Sequence, residues 1–169
     1  VYDSAFVVGN IGIPYTNVVD ETRDDSVIVA EMSSFQLESI VDFRPRVSAV
    51  LNITPDHLNR HHTMEAYIQA KKNVAINQTA EDTCVLNYED EVLREFGETL
   101  QTKVLYFSSK RKLDKGIYLD DGNIIYRNPD ECLVCNVKEL KLLGVHNYEN
   151  VMAAVAMAYY AGVDMDSLR

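Results

Sequence analysis

Three residues of unlike chemistry set the question this sequence poses: Glu31, His57 and Lys71. Glu31 stands where the apolar run of residues 27–30 ends, an odd place for a carboxylate in a buried strand. His57 closes Asn52-Ile-Thr-Pro-Asp-His57, the segment that leaves a second apolar run over residues 47–53. In an open α/β sheet, ligands sit outside the carboxyl ends of the strands, so Glu31 and His57 are expected at one rim. A carboxylate and an imidazole placed there can hold a divalent cation, and oxygen-rich sites that keep several waters are how magnesium is used beside phosphates. Lys71 interrupts an otherwise apolar helical stripe made by Met64, Tyr67, Ile68, Val74 and Ala75. An ammonium does not bind a metal ion. It serves such a site by pairing with phosphate, or by carrying a carboxylate after modification; the plain alternative is a lysine whose stem packs while its charge reaches water.

The elements that must position these groups follow from periodicity and caps. Residues 27–30 are short, apolar and β-branched, which suits a strand buried on both faces of a parallel sheet. Ser33 and Gln36 have capping-box spacing, so a helix is expected there, carrying Phe35, Leu37 and Ile40 inward. Residues 47–53 read as a strand, and 63–76 as a helix with Thr63 at its N-cap. Further strands are expected at 5–8, 83–86 and 104–107, with short helices at 15–20 and 89–96. Residues 116–127 alternate around Asp121-Gly122, a hairpin signal that adds antiparallel strands to the edge of a mostly parallel sheet. Extended chain continues over 132–142, and 147–161 reads as an Ala-rich helix stopped by Gly162. The fold class is therefore α/β, a mostly parallel sheet flanked by helices on both faces, with an antiparallel hairpin region.

Other motifs divide between chemistry and structure. Gly9-Asn10-Ile11-Gly12 follows the first strand, and its glycines permit close approach of a ligand, with backbone N–H groups free for a phosphate; a plain turn is the alternative. Asn147 and Asn150 lie one turn apart at the positive end of the last helix, where amides can pair with an adenine edge; Asn147 as a simple N-cap is the alternative. His61 and His62 read as solvated loop residues, and the zincin pattern fails because Leu58 stands where Glu is required. Cys132 and Cys135 have zinc-ligand spacing, but two ligands do not close a structural zinc site, and they read as ordinary buried cysteines.

Composition narrows the partners. The chain has 169 residues, 47% of them hydrophobic, enough for a domain with a sizeable core. A formal charge of -10 argues against nucleic acid or an anionic membrane surface as partner, while leaving room for a single nucleotide. Three cysteines give no disulfide framework, no signal peptide or membrane span is visible, and a cytoplasmic home is expected. The sequence starts at Val1 rather than Met, and it is expected to be a piece of a longer protein.

Five motifs now stand in order: Gly9-Asn-Ile-Gly12, Glu31-Met-Ser-Ser-Phe-Gln-Leu37, Asn52-Ile-Thr-Pro-Asp-His57, Tyr67-Ile-Gln-Ala-Lys71 and Gly144-Val-His-Asn-Tyr-Glu-Asn150. In order and spacing they resemble the central domain of the Mur ligases, over essentially the whole of residues 1–169, and the Ser33–Leu37 run is similar to the branch that adds D-glutamate. The resemblance implies a P-loop-type central domain and ATP-dependent amide ligation in peptidoglycan precursor synthesis. UDP-N-acetylmuramoyl-L-alanine, D-glutamate and ATP would be its partners, and a monomer is expected. By the same resemblance two Mg2+ ions act as cofactors, Glu31 binding the ion shared with the ATP phosphates and His57 the second. Lys71 matches the lysine that the family converts to a carbamate with carbon dioxide. Gly9, Asn10 and Gln36 would contact the UDP-sugar, with Ser33 close by, and Asn147 and Asn150 would hold adenine.

Two departures limit the carry-over. Asn59 occupies a position where the family often has Asp, and no G-x-x-x-x-G-K-[ST] loop occurs in these residues. That loop would precede Val1 in the family, and the flanking N- and C-terminal domains are also missing, so these residues alone are expected neither to ligate nor to keep a full Lys71 carbamate. The alternatives are another amide ligase of the superfamily, a non-catalytic nucleotide-sugar binding module and, more remotely, a zinc hydrolase.

Overall fold

A computed structural model describes residues 4–142 and 144–169. Two sheets organise it. Strands β1 (Ala5–Gly9) and β2 (Val27–Glu31) pair in parallel, Gly9 opposite Glu31. The larger sheet has six strands in sequence order: β3 (Val47–Val50), β4 (Thr83–Asn87), β5 (Lys103–Ser108), β6 (Gly116–Asp120), β7 (Asn123–Arg127) and β8 (Glu131–Asn136). Pairing is parallel from β3 to β6 and antiparallel from β6 to β8, so the expected antiparallel region lies at the edge. The β6–β7 turn places Asp121 at φ 46° and Gly122 at φ 75°, the two positive angles that a tight hairpin with right-handed strand twist requires.

Every residue of β4 is buried, because helices cover both faces of the large sheet. On one face, α5 (Val145–Tyr160) sets Met152, Ala153 and Ala156 against Val85, Leu105, Phe107 and Ile117. On the other, α3 (Met64–Lys72) with its 3-10 extension and α4 (Glu91–Thr99) bring Val74, Ala75, Leu93 and Phe96 onto Cys84 and Leu86. Successive side chains of β4 point to opposite faces, so Cys84 and Leu86 join one cluster and Val85 the other. Full burial of each Val, Leu, Ile, Phe or Met among these contributes about 1.5–3 kcal/mol.

Several local expectations change. The run 27–30 forms a strand, but β2 is not buried on both faces: Ile28 is 36% and Val29 48% exposed. Among the described residues it is hydrogen-bonded only to β1, and β-branched apolar composition sets strand propensity without supplying the cover that buries it. Residues 15–20 form two short 3-10 turns, Tyr15–Asn17 and Val19–Glu21, rather than an α-helix. Helix α1 (Ser34–Leu37) is a single turn, so Ile40 packs from beyond its end. Helix α5 begins at Val145 with Gly144 as N-cap at φ 103°, which puts Asn147 inside the first turn and not at the cap.

Candidate active site

Glu31 ends β2 at an exposed position, and its carboxylate has no hydrogen-bond or ion-pair partner among the described residues. Its backbone is held closely. Asn10 N–H donates to Glu31 C=O at 2.8 Å, and a Cβ on Gly9 would lie 2.0 Å from that same oxygen, so only glycine fits there. Gly9 N–H donates to Ile13 C=O at 3.0 Å. The N–H groups of Gly9 and Asn10 are therefore consumed by the turn, which corrects for these two the expectation that the backbone of Gly9–Gly12 stands free for a phosphate. What Asn10 offers outward is its exposed side chain.

The capping box on α1 forms as its spacing predicts. Ser33 Oγ accepts from Gln36 N–H at 3.3 Å, and Gln36 Oε1 accepts from Ser33 N–H at 2.9 Å. The two side chains fix the chain as it leaves Glu31.

His57 caps α2 (Leu58–His61) from the left-handed region, at φ 52°. Asp56 brackets it, accepting from His57 N–H at 2.8 Å while its other oxygen lies 3.3 Å from His57 Nε2. The loop carrying His57 is tied to the large sheet by Asn87, whose amide donates to Leu51 C=O at 3.1 Å, and by Asp90, which accepts from Ile53 N–H at 2.7 Å. Sequence reading passed over both residues. Asp90 gave a usable signal, since it is also the N-cap of α4, but its second contact crosses 37 residues.

Lys71, half-buried on α3, has no ion-pair partner among the described residues, and its Nζ lies 5.7 Å from the centre of the Tyr67 ring. Burial, with the nearby Asp56 charge, raises the Tyr67 phenol above its ordinary value.

His61 overturns the reading of a solvated loop residue. Its side chain is 1% exposed. Nε2 lies 2.9 Å from Ser34 Oγ, and Nδ1 lies 2.9 Å from Glu38 Oε1. Phe35 fills the space between the two histidines, its centroid 4.9 Å from the His57 ring and 5.3 Å from the His61 ring. The turn of helix that follows β2 is thus fastened to α2 and to His57 at its N-cap. The expectation that Glu31 and His57 share a rim rests on this link and not on adjacent strands.

Asn147 and Asn150 lie in the first two turns of α5. The intervening Glu149 accepts from Ser109 Oγ at 2.5 Å, which anchors that end of the helix beside the chain leaving β5. The neighbouring β4 end is braced likewise: Glu89 accepts from Ser108 Oγ at 2.6 Å and from Arg111 Nε and Nη2 at 3.0 and 2.9 Å. Burial would push the Glu89 carboxyl up, but these donors outweigh it and hold the group below its ordinary value. Asn147 and Asn150 therefore stand on the rim formed by the parallel strand ends.

As a donor set for magnesium, the residues suit an open, hydrated ion better than a closed cage. Glu31 offers unengaged carboxylate oxygens and His57 an imidazole, whereas unmodified Lys71 would repel a cation. No group of three or more His, Cys, Asp or Glu side chains among the described residues is gathered to hold a metal by itself. Water and phosphate oxygens would have to supply the remaining positions. Cys132 and Cys135 stay half-buried free thiols on β8, with Cys132 Sγ 2.8 Å from Arg169 Nη2.

Residues 8–158 match the family described as the Mur ligase middle domain. The chain is 62% identical to a UDP-N-acetylmuramoylalanine–D-glutamate ligase of Lachnoclostridium phytofermentans, over 99% of this chain and 37% of that protein. It is 50% identical to the protein of the same name in Clostridioides difficile, over 97% of this chain and 36% of that one. The chain thus spans little more than a third of the length of the curated relatives it matches. In fold it is similar to a solved UDP-N-acetylmuramoyl-L-alanyl-D-glutamate–2,6-diaminopimelate ligase, with a TM-score of 0.70 and 20% identity, covering 99% of this chain and 45% of that one.

Proposed function

The chain belongs to the Mur ligase family, by its middle domain, and from that premise we propose that it serves an ATP-dependent ligase joining D-glutamate to UDP-N-acetylmuramoyl-L-alanine. The observation that supports the reading is the link of α1, just after Glu31, to α2, just after His57, through Ser34 and His61, which suits a site shared by Glu31 and His57. The choice of D-glutamate is supported by the 62% and 50% identical relatives.

The chemistry is two transfers. A substrate carboxylate oxygen attacks the γ-phosphorus of ATP, forming a P–O bond as the bond to ADP breaks. The D-glutamate amine then attacks the acyl carbon, a C–N bond forms, and phosphate leaves with the C–O pair while the amine sheds its protons. Negative charge accumulates where carboxylate meets phosphate, and catalysis consists chiefly of positioning and offsetting that charge.

Each residue has a part in this. Gly9 lets the turn close on Glu31, while Asn10, Ser33 and Gln36 face the UDP-sugar. Asn147 and Asn150 offer amides to adenine from the positive end of α5. Magnesium, held by Glu31 and His57 with Lys71 joining them as a carbamate, would offset the phosphate charge when bound. Lys71 suits that conversion, since no carboxylate among the described residues neutralises it and its position beside Tyr67 is only half exposed. The proposal takes the chain as the central portion of a longer monomeric protein acting in the cytoplasm. No helix among the described residues is long and apolar enough to cross a membrane.

The test is phosphate release from ATP by the full-length protein with UDP-N-acetylmuramoyl-L-alanine, with and without D-glutamate. Release should need D-glutamate, collapse in Lys71→Ala and recover with added short carboxylic acids. Release that answers to another amino acid would move the substrate. No release would sink the ligase reading in favour of a binding module.

A further inference from the structure

His61 lies among the groups assigned to the chemistry without being one of them. A neutral imidazole has one donor and one acceptor nitrogen. An ionised Glu38 can only accept, so Nδ1 donates to it, and Nε2 pairs with the Ser34 hydroxyl, which can accept or donate as the ring requires. The second Glu38 oxygen accepts from Arg60 Nη2 at 3.1 Å. Both ring nitrogens and both carboxylate oxygens are therefore satisfied, as a side chain buried to this degree requires.

The ring faces are engaged as well. Phe35 stacks on one side at 20°, with its own ring 4.9 Å from His57. Tyr67 lies 5.4 Å from His61, and Lys71 Nζ is over that tyrosine. Three routes thus meet at one imidazole. Ser34 leads back through the capped turn to Glu31, Phe35 leads to His57, and Tyr67 leads to Lys71. A flat ring with polar atoms on two edges is what these contacts demand: phenylalanine keeps the stacking and loses both hydrogen bonds, while asparagine loses the stacking.

We propose that His61 is a positioning residue that sets the mutual placement of Glu31, His57 and Lys71. It touches no reacting atom. The functional part of this rests on the ligase reading above, whereas the coupling between His61 and His57 does not.

The experiment uses the full-length protein with His61→Phe, Ser34→Ala and the double variant, at temperatures well below unfolding. In phosphate release, His61→Phe should lower kcat tenfold or more and raise the Mg2+ concentration needed for half-maximal rate. KM for ATP, set by contacts on α5, should stay within twofold. Ser34→Ala should fall less, and the double variant should be no worse than His61→Phe, because the two residues act through one link. A kcat within twofold of wild type in both single variants would overturn the proposal.

Histidine-selective NMR supplies the readout that needs no turnover, with His57 assigned by His57→Gln. Ser34→Ala, which removes a single hydroxyl and spares the fold if His61→Phe does not, should shift the His57 ring resonances and alter their response to Mg2+. An unmoved His57 signal overturns the proposal even if the wild type proves to be no ligase. A wild type that releases no phosphate with any amino acid, combined with a shifted His57, would sink the ligase reading and keep the coupling.

Discussion

Asp90 tests how the loop bearing His57 is held. Its oxygens do different work: Oδ1 accepts from Leu93 N–H at 3.2 Å and caps α4, while Oδ2 accepts from Ile53 N–H at 2.7 Å. Asp90→Ala removes both. The cap contributes about 1 kcal/mol and a hydrogen bond to a charged acceptor about 1.5–3 kcal/mol, so the loss of unfolding free energy should be about 2.5–4 kcal/mol. Asp90→Asn separates the two parts. Asparagine caps as well as aspartate, but its single oxygen serves one donor and leaves the other N–H facing an amide NH2; the expected loss is about 1.5–3 kcal/mol. Urea unfolding followed by circular dichroism, at unchanged m, measures both. In a thermal scan a loss of about 3 kcal/mol corresponds to about 6–12 °C for a chain of this size. An Asp90→Asn variant within about 0.5 kcal/mol of wild type, the ordinary scatter of surface substitutions, would refute the claim that Asp90 anchors this loop.

Two further outcomes follow from buried titrating groups. Burial favours a higher Asp82 pKa, but hydrogen bonds from Arg44 Nε at 2.7 Å and Thr79 N–H at 2.8 Å outweigh it and hold the carboxyl below its ordinary value. A depressed folded-state pKa gives stability that is full above the ordinary carboxylate value, about 3.9, and fades as pH falls through the folded one. Stability measured from pH 6 downward should therefore fall more steeply below about pH 4 in wild type than in Asp82→Asn, and parallel curves would contradict the ion pair. Cys84 is fully buried, and burial pushes its thiol up to about 11. In native protein at pH 8, iodoacetamide followed by mass mapping should label Cys132 well before Cys84, and equal labelling would mean that the β4 core opens readily.

Much of the fold follows from local pattern. Asp121-Gly122 fixes the hairpin because few residues accept positive φ, and there the structure places both positive angles. Thr63 and the Ser33–Gln36 box start their helices by satisfying N–H groups within one turn, which is chemistry confined to four adjacent residues. The order of the five motifs was enough to indicate the family.

Burial and long-range pairing needed the tertiary structure. The run at 27–30 has the same composition whether covered or bare, and among the described residues it pairs with β1 with Val29 48% exposed. The glycine-rich turn permits many backbone pairings, and only the structure shows that Asn10 N–H is spent on Glu31 C=O. His61 reads as polar and loop-bound in sequence, yet Ser34 and Glu38, 27 and 23 residues upstream, satisfy both its nitrogens and make burial inexpensive. Caps and periods are written within a few residues of one another. The link between α1, just after Glu31, and α2, just after His57, exists only once Ser34, Phe35 and His61 are packed together.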